Sequence, residues 1–160
     1  MKKLILIIAL LLSNLSVFAN IESLPGNLLL EVETSGGFVP SEFVGHSEGV
    51  RIFTDGTVFN FKKKSFRDLE KTSLLATLSQ NVIKNLRSTV EEVENGELID
   101  ENPTGPMCMD IPTTTFSLKK ENGVRITFAS NSNCKRYFIQ DSRSRILKEI
   151  LTGFKFLQSN

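Results

Sequence analysis

The chain has little of what chemistry usually requires. Its 160 residues include two cysteines, Cys108 and Cys134, and one histidine, His46. A structural zinc site takes four ligands of these kinds, so the three cannot complete one. Dithiol redox catalysis uses a Cys-x-x-Cys pair, whereas residues 109 to 133 separate these two cysteines. Charge of one sign is also missing, with 19 basic against 18 acidic side chains. A chain that neutralises many phosphates carries a marked basic excess, so nucleic acid and anionic membrane are not expected partners. The longest apolar run, Leu4 to Leu12, is about half of the roughly 20 residues a membrane-spanning helix needs. There is no internal repeat and no low-complexity tract.

What stands at the start has the layout of an export signal. Lys2 and Lys3 precede that apolar run, and Val17 and Ala19 occupy small-residue cleavage positions. Residues 1–19 therefore read as a cleaved signal peptide, and 20–160 as a single domain. With no cysteine near the cleavage position there is no lipid attachment atom, so no stable membrane anchor is expected after cleavage. Removing Lys2 and Lys3 leaves 17 basic (19 minus 2) against 18 acidic residues. A domain of this size buries roughly two-thirds of its unfolded surface.

Export changes the reading of the cysteines. In an oxidising compartment an even count defaults to pairing, so Cys108 and Cys134 are expected to form a disulfide, with two free thiols as the alternative. Between them Phe116 and Leu118 alternate with polar residues, "ENG" intervenes, and Val124, Ile126 and Phe128 alternate again, which predicts a β-hairpin. A three-residue loop, Glu121 to Gly123, pairs Leu118 with Ile126 and Phe116 with Phe128 on one face. Upstream, an Asp55-Gly56 turn predicts a second hairpin pairing Ile52 with Phe59 and Val50 with Phe61. "NLLLEVET" and "KRYFIQ" read as strands. Leu75, Leu78, Val82 and Leu86 recur at helical spacing over 73–90, with Thr72 as N-cap. A last helix follows Asp141, carries Ile146, Leu147, Ile150 and Leu151, and is expected to end at Gly153. This order gives an α+β fold, an antiparallel sheet built from β-hairpins with two helices packed on one face and one disulfide.

Several stretches invite a functional reading. "GHSEG", 45–49, matches the Gly-x-Ser-x-Gly nucleophile elbow, but that elbow needs a strand before it, a helix after it and a distant histidine base. The only histidine lies inside the motif, so no catalytic residue is assigned, and a small serine hydrolase using Ser47 is the least favoured alternative. Glu91, Glu92, Glu94, Glu97, Asp100 and Glu101 are dense, but lack the alternating spacing of a calcium loop and read as a solvated acidic segment. "KKKSFR", 62–67, reads as sheet-edge protection or as a polyanion contact. "SGGFVP", 35–40, lacks the ending of a phosphate loop. Gly36, Gly37, Phe38, Val39 and Pro40 form the candidate binding loop, with a structural turn as the other reading. Neither a metal nor a cofactor is expected.

The combination of "SGGF" (35–38), "DGTV" (55–58) and "DIPTTTFSL" (110–118) with this element order resembles a group of small bacterial α+β domains. Some are uncharacterised exported proteins, and some belong to the emfourin family of inhibitors of thermolysin-type secreted metalloproteases. The likeness spans roughly residues 28–152, and no inhibitory residue is carried over from it. It implies a secreted or periplasmic, non-catalytic binding domain whose partner is an extracytoplasmic protein such as a protease. A small-ligand or envelope-associated module is the alternative.

Overall fold

Period-two alternation of apolar residues organises most of the chain, and the structure, a computed structural model, describes residues 26–36, 44–108 and 111–158. Strands β1 (Leu28–Ser35), β2 (Ser47–Phe53), β3 (Thr57–Lys63) and β4 (Lys71–Thr77) are followed by helix α1 (Gln80–Glu92). Then come β5 (Ile99–Asp100), β6 (Thr113–Lys119), β7 (Arg125–Ser132), β8 (Lys135–Phe138) and α2 (Ser142–Gln158). The strands make one eight-stranded sheet in the order β4-β3-β2-β1-β6-β7-β8-β5, antiparallel throughout. Two meanders, β1–β4 and β6–β8, thus meet at the β1–β6 pair. No described helix is long and apolar enough to cross a membrane.

Residues directly opposite one another in an antiparallel pair point to the same side, so the registers define rows of side chains across the sheet. One row is Ala76, Val58, Ile52, Leu30, Leu118 and Ile126; the next is Ser73, Asn60, Val50, Val32, Phe116, Ala129 and Phe138. Both helices cover this side. Ile83, Leu86 and Val90 of α1 and Leu147, Leu151 and Phe154 of α2 join the apolar members of these rows in one buried cluster. Each such side chain contributes about 1.5–3 kcal/mol of transfer free energy. The α+β fold with both helices on one face follows from that burial, although the sheet dominates it.

Four local expectations are corrected. The β2–β3 turn has three residues, Thr54 to Gly56, so Ile52 opposes Val58 and Val50 opposes Asn60, and Phe59 and Phe61 turn to the other face. Asp55 sets this turn: its carboxylate accepts bonds from the Thr57 N–H (2.9 Å) and the Gly26 N–H (3.1 Å), and Gly56 takes φ +95°. The stretch 71–77 is strand β4, not the start of a helix, so Thr72 is no N-cap and Leu75 and Leu78 leave the helical stripe; α1 begins at Gln80 after Ser79. The outer backbone of β3 needs a ladder partner, and Thr72, Ser73 and Thr77 are weak helix formers. The β6–β7 loop and the Leu118–Ile126 pair are as expected, but a bulge sets Phe116 opposite Ala129, its ring 6.4 Å from Phe128. Finally, α2 continues through Gly153, because ending there would expose the buried Phe154.

The cysteines are bonded, with Cα atoms 5.4 Å apart. Cys134 lies in the two-residue β7–β8 turn, where Asn133 and Cys134 both have left-handed φ (52° and 65°), the geometry of a tight hairpin. The disulfide ties this turn to the segment that returns from β5 to β6.

Candidate functional site

The third row on the helix side of the sheet is polar across seven strands: Lys71, Lys62, Glu48, Thr34, Thr114, Asn131 and Arg136. Helix α2 crosses above it and presents two lysines seven residues apart, two turns of one helical face. Lys155 donates to the Thr34 hydroxyl, which bonds Thr114 at 2.8 Å. Lys148 reaches Asn131 Oδ1 at 3.4 Å, and its ammonium lies 4.1 Å from the Phe138 ring centre and 5.4 Å from that of Phe116. Each amine is half-buried, and desolvation lowers its pKa, opposed by the more distant Glu101 at Lys148 and Glu48 at Lys155. Among the described residues neither has a carboxylate within ion-pair distance.

A groove of about 700 Å³ opens between α2 and β8 around Lys148. Its floor and walls are Phe138, Phe156, Leu157 and Gly153, and its charged members are Arg136, Arg145, Lys148, Glu101 and Glu149. Arg145 and Glu101 bond each other at 2.8 Å. At the helix start Asp141 accepts the Arg143 N–H at 2.8 Å, an N-cap interaction that fixes where α2 begins. Desolvation opposes the Asp141 charge, but bonds from the Arg143 and Glu94 N–H groups and the charge of Arg143 outweigh it and lower its pKa. The arrangement suits an apolar body with a negatively charged end.

The opposite face of the sheet carries a different constellation. Glu31, buried in mid-sheet, receives Arg51 Nε at 2.7 Å and Arg125 Nη2; Arg51 also grips Glu70, and Arg125 donates to Ser117 Oγ at 3.1 Å. The Arg51 guanidinium lies 3.9 Å over the Phe61 ring. Desolvation works against the Arg51 charge, yet its bonds to Glu70 and Glu31 raise its pKa. Both arginines here have carboxylate acceptors, which marks a structural network.

Of the sequence-derived candidates, Gly37, Phe38, Val39 and Pro40 lie outside the described residues, and Gly36 leaves β1 with φ +78°. Ser47 opens β2 opposite Ser35 and Lys63, with no strand-to-helix turn. The glycines of "GHSEG" have local reasons to be glycine: a Cβ on Gly45 would lie 2.7 Å from the Phe66 backbone, and one on Gly49 would lie 1.8 Å from the Val32 carbonyl oxygen. His46 approaches Glu48 at 3.9 Å.

The acidic segment is not simply solvated. Glu92 pairs with Arg143, Glu101 with Arg145, and Asp100 in β5 with Lys135 at 2.7 Å. Lys62 and Lys63 stand on β3, which is paired on both sides, so they do not protect an edge; the edge strand on that side is β4. Lys148 and Lys155 were missed because they read as the polar face of a helix. Their signal was position, since each directly follows a core residue, Leu147 or Phe154. No family model, curated protein or solved structure matches this chain.

Proposed function

We propose that the protein is a non-catalytic binding module of an extracytoplasmic compartment, periplasmic or extracellular, exported by residues 1–19. Its ligand is a small molecule with an apolar body and an anionic head, held in the groove between α2 and β8. The disulfide supports the compartment, since such bonds persist where the surroundings oxidise. The observation that carries the ligand class is Lys148, a half-buried ammonium in a groove lined by Phe138 and Phe156, with no carboxylate within ion-pair distance among the described residues. Removing a charge from water without a counter-ion is unfavourable, and an incoming anion relieves it. The groove volume falls within the roughly 300–1,000 Å³ of small-molecule sites.

Dodecanoate tests this directly, with dodecanol as the uncharged control of equal chain length. Calorimetry is expected to show carboxylate binding well above alcohol binding. Lys148→Gln should weaken the carboxylate about tenfold, the worth of one charge-assisted hydrogen bond. Equal binding of acid and alcohol, or none of either, would refute the reading.

A second reading keeps the partner macromolecular: inhibition of a thermolysin-type protease through Gly36, Gly37, Phe38, Val39 and Pro40. Its support is Gly36, left-handed at the end of β1, where a Cβ would meet nothing within 4 Å among the described residues. A thermolysin assay with the mature protein tests it; undiminished proteolysis at excess protein removes that enzyme as a target.

A further inference from the structure

A second basic cluster lies on the other side of α2. Lys62 and Lys71 stand directly opposite each other on β3 and β4, on the side the helices cover. Like charges in that relation repel and weaken a sheet, so the pair opposes the fold unless something negative joins it. Glu48 answers Lys62 at 3.2 Å but also faces His46 at 3.9 Å. Lys71 has no ion-pair partner among the described residues. Lys155 enters from α2, half-buried and, among the described residues, bonded only to the Thr34 hydroxyl. The three amines, Glu48, Asn60 and Ser73 line one depression of about 550 Å³. Three cations against one carboxylate leave the lining at +2 (3 minus 1). Ser73 Oγ donates to Asn60 Oδ1, which leaves the Asn60 amide hydrogens as further donors.

Edge protection does not account for this arrangement. It needs a lysine on the outermost strand, whereas here an interior strand and a helix supply two of the three amines. Nor does the chain carry a general basic excess that would scatter lysines together. Convergence of three amines and an amide on one depression matches a multivalent oxyanion, whose several oxygens accept from several donors at once.

We propose that this depression binds a phosphate or sulfate group, free or carried on a small organic molecule. It shares no lining residue with the α2–β8 groove, so the two sites stand or fall separately.

The test titrates inorganic phosphate and sulfate into the mature, disulfide-bonded protein, against chloride at matched ionic strength, while backbone amide resonances are followed. Saturable shifts confined to Lys62, Lys71, Ser73, Lys155 and their neighbours are expected. Replacing both Lys62→Ser and Lys71→Ser should weaken binding at least tenfold. A second readout separates the site from a surface salt effect. Without anion, Lys71→Ser is expected to melt above the unsubstituted protein because the repulsion is gone, and phosphate should no longer raise its Tm. Glucose 1-phosphate binding tighter than inorganic phosphate would assign a carried group; equal or weaker binding would assign the free ion. Shifts that do not saturate, or a phosphate response unchanged by the double substitution, would overturn the proposal.

Discussion

Glu31 stands inside an apolar run, LLLEVE, and is buried all the same, because Arg51 and Arg125 reach it from β2 and β7. Glu31→Ala takes the shared carboxylate from both arginines, of which Arg51 keeps Glu70, and is expected to cost about 2–3 kcal/mol in urea unfolding. That is below the usual figure for breaking a buried pair, since Arg125 is half exposed and screened. Asp55 offers a pH-dependent counterpart. Although desolvation opposes its charge, bonds from the Thr57 hydroxyl, the Thr57 N–H and the Gly26 N–H lower its pKa in the folded state. A lowered carboxylate pKa gives stability that is complete above about pH 4 and fades as pH falls through the folded value. Asp55→Ala is therefore expected to cost about 1–2 kcal/mol at neutral pH, with the difference shrinking in acid; a constant difference would refute the turn role. At this scale the sequence was partly legible. Asp55-Gly56 announced a turn, but turn length depends on side-chain bonds that spacing does not encode, and partners for Glu31 come from strands 20 and 94 residues away.

Strand β4 shows how a neighbour overrides periodicity. Leu75 and Leu78 fit a helical stripe with Val82 and Leu86, yet the unpaired outer edge of β3 recruits residues 71–77 as a strand. Gly49 shows the reverse dependence, of an element on one small residue. A Cβ there would sit 1.8 Å from the Val32 carbonyl oxygen and 2.9 Å from the Phe61 ring, so β1 and β2 could not keep their spacing. Gly49→Ala is expected to destabilise by about 2–4 kcal/mol, read as a fall in Tm; a neutral result would mean that the strands part freely. Hairpins were legible from alternation and turn residues, and α2 from its apolar stripe. The lysines of α2 were not, because their role depends on which sheet row the helix crosses.

For the molecule as a whole, the staple and the α+β class followed from cysteine parity and element order. Replacing both cysteines by serine is expected to leave the far-ultraviolet circular dichroism unchanged, because the apolar rows lie away from the disulfide. Stability should fall by about 3.5 kcal/mol, the loop-closure value for a separation of 26 residues. A loss of fold would give the bond a larger part than stapling. The strand order carries one more consequence, for biosynthesis. All pairings within the β1–β4 meander are local, but β1 must also meet β6, and Leu30 and Leu118 are 88 positions apart (118 minus 30). At roughly 5–20 residues per second, the ribosome supplies that partner roughly 4–18 s after Leu30. Until β6 arrives, a β1–β4 meander has an unpaired edge beside Leu30 and Val32, a place where a chaperone would shield it or a second chain would adhere.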